Sequence, residues 1–498
     1  MASNWRQRPG DKILRRPRIP HDRLRRNLGV PSLFSAAYGN VGSSIYYALG
    51  IVALVAIGAT PAALLLAGVL FIFTALSYAE GTAMLPEAGG SATFARHGFN
   101  NFVGFLSGWA LLLSYIVTIS ISAYTIAPYL GYFWEPMKDD HVLGTLVAMG
   151  LILFLMLINV IGVKESSRMN VLFTVLDITT QLLLIVLGGI LILAVDPMVL
   201  ADNMFGAGNW PPTISQLFSG ISVNGVDYWP NLSGLIFGIA LAALAFTGVE
   251  TVSQMAEETR HPQARSPRAL MWTTGVVLVL FAGISIVALS AMTPTELSTD
   301  WARDPVAGIA AALPNESLQV IFMPLVAVLA ATILLIATNA GLMGISRLAF
   351  SLSTNQLMPQ SLSRIHHRFR TPYIAIIVFC VIAILVLIPG FSSPDFFRDL
   401  GALYTFGALL SFAFAHASIL SLRVREPDKE RPFKLRPNIK IKGREIPLTA
   451  VVGLIATVAI WIVILIVQPY SRYAGLVWMT LGLLAYYLNR RYRRLSLT

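Results

Sequence analysis

Three acidic side chains lie well inside apolar stretches of the sequence, at positions where a charge is expensive to bury. They are Glu80, Asp177 and Glu250, out of 25 acidic residues in the chain. An ionisable group at membrane depth is costly unless it is paired, hydrated or protonated, so such groups usually serve a function. We therefore predict all three as coupling residues that exchange a proton or another cation.

Asp177 is the strongest candidate for this role. It stands in the run Thr174–Gln181, with polar neighbours one turn away and no base nearby in the sequence. Burial of an unpaired carboxyl favours its neutral form, so that it can take up and release a proton near neutral pH. The alternative is a packing acid that accepts a hydrogen bond from a hydroxyl. Glu80 lies close to a helix end, whereas Glu250 follows a helix interruption and can cap N–H groups there.

Two interruptions in apolar stretches indicate where a substrate would bind. The first is Tyr38–Tyr47, with two glycines, an amide and two hydroxyls, and the second is Phe246–Glu250. An unwound helix exposes N–H and C=O groups that lipid cannot satisfy, so it is tolerated only where these groups meet a cavity or a ligand. The alternative is a face of small residues for close helix packing. The residues predicted to bind substrate are Gly39, Asn40, Gly42, Ser43, Ser44 and Gly248.

The chemistry of such breaks suits a zwitterion. A half-helix amino terminus presents N–H dipoles to a carboxylate, while unwound carbonyls accept from an ammonium group. No enzymatic pattern accompanies them: the seven histidines have no metal-ligand spacing, and no strand precedes the glycines of the first break. The sequence therefore predicts a non-enzymatic protein without a metal or cofactor.

The elements that position these residues are membrane helices. Of the 498 residues, 56% are hydrophobic and 12% charged, and the mean hydropathy is +0.69. Such a composition predicts an all-α polytopic membrane protein. Twelve spans are expected, at 33–57, 61–84, 103–133, 142–162, 169–195, 232–257, 268–292, 317–353, 372–389, 398–422, 447–468 and 472–489.

The distribution of positive charge predicts the orientation. When loops alternate between the two sides, all but four of the 36 lysines and arginines fall on the side of the amino terminus. By the positive-inside rule both termini are cytoplasmic, and the basic amino-terminal tail, which has no apolar core, is not a signal peptide. The net charge of +11 lies in tails and loops beside the membrane, which favours anionic lipid over nucleic acid as a partner. The lone Cys380 excludes an intrachain disulfide.

Interruptions in the first and sixth spans predict an inverted repeat of five helices each, with discontinuous helices 1 and 6 facing one another near the midplane. The expected units are a basic cytoplasmic tail (1–30), a first repeat (31–195), an extracellular loop (196–231), a second repeat (232–422), a basic cytoplasmic loop (423–446), accessory helices 11 and 12 (447–489) and a cytoplasmic tail (490–498).

Several separated motifs resemble the amino acid–polyamine–organocation transporter family. Gly42–Tyr46 resembles its first-helix motif, Pro86–Gly90 its loop after helix 2, and Phe246–Glu250 with Ala256–Pro262 its sixth-helix signature; Arg431–Lys434 resembles its loop after helix 10. The resemblance implies secondary active transport of amino acids or related amines by a LeuT-like fold in the cell membrane. It also implies that the substrate carboxylate binds at the first break and the amine at carbonyls around Ala245, Phe246 and Thr247.

Two alternatives to amino acid import remain open. Tyr38–Ser44 also resembles a motif of proton-coupled potassium carriers in the same superfamily, although Asn40 stands where those carriers have an aspartate. A transport-inactive nutrient receptor with the carrier fold is the other alternative. Within the transporter reading, Asp177 falls where several proton-coupled members have a lysine, so proton coupling is the expectation and another cation its alternative.

Overall fold

The computed structural model describes residues 28–162, 167–393, 395–441 and 443–494. Most of the predicted amino-terminal tail, Lys164 and Lys442 of the orientation count and the last four residues of the carboxyl-terminal tail lie outside the described residues. The division of the chain into the predicted units stays a prediction.

The described chain is mostly helical. The elements of its first half are α1 (Val30–Val41), α2 (Ile45–Ala56), α3 (Thr60–Met84), α4 (Ser91–Gly98), α5 (Asn101–Leu130), α6 (Pro136–Asp139), α7 (His141–Ile161), α8 (Ser167–Gly188), α9 (Val199–Phe205), α10 (Ile214–Ser219), β1 (Ile221–Val223) and β2 (Val226–Trp229). Those of its second half are α11 (Leu232–Ala242), α12 (Thr251–Gln254), α13 (Pro262–Ala291), α14 (Pro294–Ser298), α15 (Pro305–Ala311), α16 (Glu316–Thr354), α17 (Tyr373–Val386), α18 (Phe396–Arg425), β3 (Asn438–Ile441), β4 (Arg444–Pro447), α19 (Leu448–Val467) and α20 (Pro469–Tyr492).

Local sequence explains where many helices begin. The side chains of Asn100, Asp140, Asn231 and Asn315 accept hydrogen bonds from amides two or three residues onward, which satisfies N–H groups that the first helical turn leaves free. Proline stands in the first turn of α1, α3, α13 and α20, where its missing N–H costs nothing.

Ten helical stretches among the described residues are long and apolar enough to cross a membrane. The first of them, Val30–Met84, has 55 residues and contains α1, α2 and α3, whereas a single span needs about 20 residues. α20 is not among the ten. The chain is thus a multi-pass membrane protein, while the count of twelve spans and the inverted repeat stay predictions.

Burial separates central from peripheral helices. In the apolar window of α5, 83% of residues are buried, and α16 and α18 pack against this helix. In α7 and α19 the corresponding shares are 28% and 22%. Large apolar side chains remain exposed on the peripheral helices, for example Phe154 and Ile466. Such faces suit lipid contact. α8, which carries Asp177, is also peripheral, with 28% of its apolar window buried.

Two of the long loops each contain an antiparallel β-hairpin. β1 pairs with β2 in the 196–231 loop, and β3 pairs with β4 in the 423–446 loop. The first of these loops packs on the connection between α2 and α3: a Cβ added at Gly58 would lie 2.3 Å from the Tyr228 carbonyl oxygen and 2.4 Å from that of Met204. Only glycine allows so close an approach of two backbones.

Candidate substrate and coupling site

The first interruption is a single 3₁₀ turn, Gly42–Ser44, between α1 and α2. Its backbone stays right-handed, with φ −65° and ψ −32° at Gly42, so the helix tightens here and does not open into an extended segment. The Ser43 hydroxyl donates to the Asn40 carbonyl oxygen at 3.1 Å, and the Ser44 hydroxyl lies 2.8 Å from that of Tyr47. The serines thus supply partners that a change from α to 3₁₀ geometry would otherwise remove.

The second interruption is a true break in helical geometry. After a 3₁₀ turn at Ala243–Phe246, Thr247 is extended (ψ 151°) and Gly248 has a φ of +113°. That φ strongly favours glycine. The Glu250 carboxylate accepts a hydrogen bond from the Gly248 N–H at 3.0 Å, so this buried acid holds the extended segment that precedes α12.

The break leaves backbone acceptors without partners. Within the part of the chain that the structure describes, no N–H or O–H group stands in hydrogen-bonding geometry to the carbonyls of Ala245, Phe246 and Thr247. The Thr247 hydroxyl turns back instead and donates to the Leu244 carbonyl oxygen at 2.8 Å. Buried carbonyls are normally paired, so three neighbouring free acceptors are a feature of a ligand site.

The two interruptions meet through Asn40. Its side-chain N–H donates to the Thr251 hydroxyl at 2.9 Å, and its amide oxygen has no partner among the described residues although Asn40 is only 1% exposed. A Cβ added at Gly248 would lie 2.8 Å from the Asn40 amide carbon. The small residues that the sequence singled out therefore bring both breaks to one place.

An aromatic wall borders the second break. The Phe246 ring packs between Phe71 and Phe281, with ring centroids 5.2 Å and 5.3 Å away. Phe246 itself is 2% exposed. Its side chain faces an apolar environment, so any role of Phe246 in holding a polar group belongs to its backbone carbonyl.

Asp177 joins the first interruption from α8. The Tyr38 hydroxyl donates to Oδ2 at 2.7 Å and the Tyr46 hydroxyl to Oδ1 at 2.5 Å, while Gln181 Nε2 donates to Oδ2 at 2.8 Å. Asp177 is fully buried, and the described residues place no Lys or Arg in an ion pair with it. Neutral donors alone hold this acid, on both sides of the Gly42–Ser44 turn.

Tyr38 and Tyr46 are site residues that the sequence did not single out by themselves. They lie on either side of the first break, eight residues apart, a spacing that places two side chains on one face of a helix. Two tyrosines at that spacing, together with an acidic residue in another apolar stretch, could have indicated this part of the site. Only the packing of α1 and α2 against α8 shows that the pair and the acid meet.

Glu80 has charged partners, unlike Asp177. Arg423 donates to both of its carboxylate oxygens, at 2.8 Å and 2.7 Å, and the Leu435 N–H donates at 2.7 Å. Arg431 Nε lies 3.6 Å from the same carboxylate. These contacts give Glu80 a structural role between α3, α18 and the following loop; its coupling role stays a prediction.

Two contacts lie near the breaks in sequence. The Tyr129 hydroxyl donates to the Tyr46 carbonyl oxygen at 2.9 Å and accepts from the Val306 N–H at 3.4 Å. Arg347 pairs with Glu258, in the segment after the second break, at 2.8 Å. Ser43, Ser44 and Thr247 are at most 1% exposed, so the residues at both breaks are buried.

A buried region where two interrupted helices meet, inside a bundle of long apolar helices, is typical of membrane transporters. Residues 28–485 match the family model described as amino acid permease. The chain belongs to this family, in agreement with the resemblance seen in its motifs, and it is an amino acid transporter rather than an enzyme.

Relatives extend over most of the chain at low identity. The branched-chain amino acid permease BcaP of Bacillus subtilis is 24% identical over 95% of both chains. The methylthioribose transporter of the same organism is 25% identical over 99% of this chain and 98% of its own. The glutamate/serine transporter AimA of Bacillus subtilis is 25% identical over 83% of this chain and 74% of its own length.

Proposed function

We propose that this permease imports amino acids or related amines by alternating access, coupled to protons, across the cell membrane with both termini in the cytoplasm. The observation that carries the proposal is the group of three free carbonyls at Ala245, Phe246 and Thr247, beside the first interruption. An ammonium group is a pure donor and needs acceptors of this kind. The burial of Ser43, Ser44 and Thr247 is compatible with an occluded intermediate of alternating access.

The substrate carboxylate is assigned to the first interruption. The turn at Gly42, Ser43 and Ser44 contacts the 3₁₀ turn Ala243–Phe246, next to the free carbonyls. Gly39 and Gly248 belong to the same proposed site, and the missing side chain of Gly248 lets the Asn40 amide lie against the second break. The unpartnered amide oxygen of Asn40 adds one acceptor at the junction. A zwitterion satisfies both halves at once, whereas an inorganic cation uses the acceptors alone.

Asp177 is the proposed proton carrier. As a carboxylate it accepts hydrogen bonds from Tyr38 and Tyr46 at once. A protonated carboxyl must donate from one oxygen, so one tyrosine hydroxyl has to turn or move away. Since the two tyrosines flank the Gly42–Ser44 turn, proton uptake is transmitted to the segment assigned to the substrate. Glu250, whose carboxylate caps the Gly248 N–H, would link a second proton to the other break.

The proposal also includes the two inverted repeats and the lipid partners. Residues 31–195 and 232–422 form the two inverted repeats, and 447–489 the accessory helices. Anionic lipids bind the basic tails on the cytoplasmic side. The relatives' names cover branched-chain amino acids, glutamate, serine and methylthioribose, so the substrate panel has to include apolar, acidic and small polar amino acids.

Counterflow in proteoliposomes tests the transport proposal. Labelled leucine, glutamate, serine, a polyamine and rubidium are offered to vesicles loaded with the unlabelled compound. Counterflow of at least one amino acid or amine is expected. Rubidium uptake without amino acid counterflow would show a potassium carrier, and saturable binding without any counterflow would show a receptor; either result overturns the proposal.

Proton coupling is tested separately with Asp177→Asn. The variant is expected to retain counterflow and to lose accumulation driven by an inward pH gradient, because an amide binds no proton. Tyr46→Phe, which removes one donor but keeps the acid, is expected to shift the pH dependence of accumulation, and Tyr132→Phe, at a 47% exposed site, is the matched control. Unchanged accumulation by Asp177→Asn would reduce this residue to a packing role.

A further inference from the structure

We propose that the headgroup of an anionic phospholipid binds in a cleft between the start of α13 and the loop that follows α18. The cleft has a volume of about 440 Å³ and is lined by Gln263, Arg268, Met271, Trp272, Pro432 and Phe433, among others. None of its lining residues belongs to the candidate substrate site, and the charge distribution predicts that both lining segments lie on the cytoplasmic side. The inference does not depend on the substrate or the coupling ion assigned above.

The charge of the cleft suits a phosphate group. Arg268 is the one charged residue in its lining, and no acidic side chain lines it. Arg268 is exposed and makes no ion pair among the residues that the structure describes. Its guanidinium group can therefore donate two hydrogen bonds to one phosphate. The exposed Gln263 adds an uncharged donor on the preceding helical turns.

The apolar part of the cleft distinguishes a lipid from a soluble anion. Trp272 follows Arg268 by four residues on α13, so the two side chains share one helix face. Trp272 is 66% exposed, and Met271 lines the cleft beside it. Tryptophan prefers the headgroup level of a membrane, where its ring contacts the glycerol and upper acyl region. A phosphate at Arg268 would thus have its acyl chains directed along Trp272.

The opposite wall of the cleft is held in place by buried charge. Pro432 and Phe433 lie between Arg431 and Leu435, both of which contact the Glu80 carboxylate. Lys434, which directly follows Phe433, is paired with Glu445. The wall is therefore preformed, and the positive charge offered to a ligand is that of Arg268.

Native mass spectrometry of the full-length protein tests this site. After delipidation, phosphatidylglycerol and phosphatidylcholine are titrated into the detergent-solubilised permease. We expect tighter binding of phosphatidylglycerol to the wild type and about a fivefold loss of that affinity in Arg268→Gln, as removal of one interfacial base predicts. Arg268→Lys should lose less, and Trp272→Ala should weaken both lipids.

Arg444→Gln is the matched control, because Arg444 is exposed on the same loop region and its loss removes the same charge without touching the cleft. An equal loss in Arg268→Gln and Arg444→Gln would show general surface attraction and overturn the site. Displacement of phosphatidylglycerol by millimolar inorganic phosphate would show a soluble-anion site instead. Unchanged phosphatidylglycerol affinity in Arg268→Gln would also refute the proposal.

Discussion

Replacement of Glu80 by glutamine should destabilise the permease more than replacement of its main partner. The Glu80 carboxylate accepts two short hydrogen bonds from Arg423 and forms an ion pair with Arg431 at 3.6 Å. Glu80 and Arg423 are 1% and 3% exposed in their side chains. Glu80→Gln leaves two buried guanidinium groups together without the negative charge that they share, and Arg423 then keeps only the partly exposed Glu445 carboxylate at 3.7 Å.

The magnitude follows from what remains after each change. Removing one partner of a buried ion pair costs about 3–5 kcal/mol, which is the expected loss in Glu80→Gln. In Arg423→Gln the carboxylate keeps the Leu435 N–H at 2.7 Å and Arg431 at 3.6 Å. The loss should then be nearer to that of an ordinary buried hydrogen-bond partner, about 1–3 kcal/mol. The double variant should lose less than the sum of the two, since both single changes remove the same Glu80–Arg423 interaction.

Unfolding by sodium dodecyl sulfate in mixed micelles, followed by tryptophan fluorescence, gives the free energies of unfolding of the wild type, the two single variants and the double variant. The control is Glu87→Gln, because Glu87 pairs with Arg96 at 2.7 Å but is 45% exposed and should lose less than about 1 kcal/mol. A loss in Arg423→Gln that equals or exceeds that in Glu80→Gln would refute the argument from the shared carboxylate.

Two further predictions concern a buried acid outside the membrane helices and the second helix break. Burial raises the pKa of the Asp304 carboxyl to about 7, whereas an unfolded chain releases this proton near pH 4. The stability of the folded protein should therefore fall as pH rises from about 4 to 7. In thermal melts at pH 5 and 8, Asp304→Asn should remove that fall, whereas Asp428→Asn, at an exposed site, should keep it. Gly248→Ala would place a Cβ 2.8 Å from the Asn40 amide carbon and strain a φ of +113°, at a cost of about 1–3 kcal/mol, and it should abolish counterflow. The control Gly225→Ala, also at positive φ but with open space around it, should transport normally. An equal loss of counterflow in both variants would leave backbone strain as the only cause.

Helix positions and the location of the breaks could be predicted because they follow from local composition. A span predicted at 142–162 is α7, His141–Ile161, and the expected interruption at Phe246–Glu250 contains the extended Thr247 and the positive φ of Gly248. The form of the first break could not be predicted. Its serines bond to neighbouring groups within the same helix, so Gly42–Ser44 stays a tight turn where the sequence suggested unwinding.

A membrane protein with interrupted helices and three acids inside apolar stretches could be recognised from the amino-acid sequence, because apolar run length and the rarity of buried charge are properties of short segments. The partners of those acids depend on helix packing. Asp177 meets two tyrosine hydroxyls 131 and 139 residues away in sequence, and Glu80 meets an arginine 343 residues away. The cost of burying a carboxylate is set by the groups that helix packing brings to it, and these groups are neutral around Asp177 and cationic around Glu80.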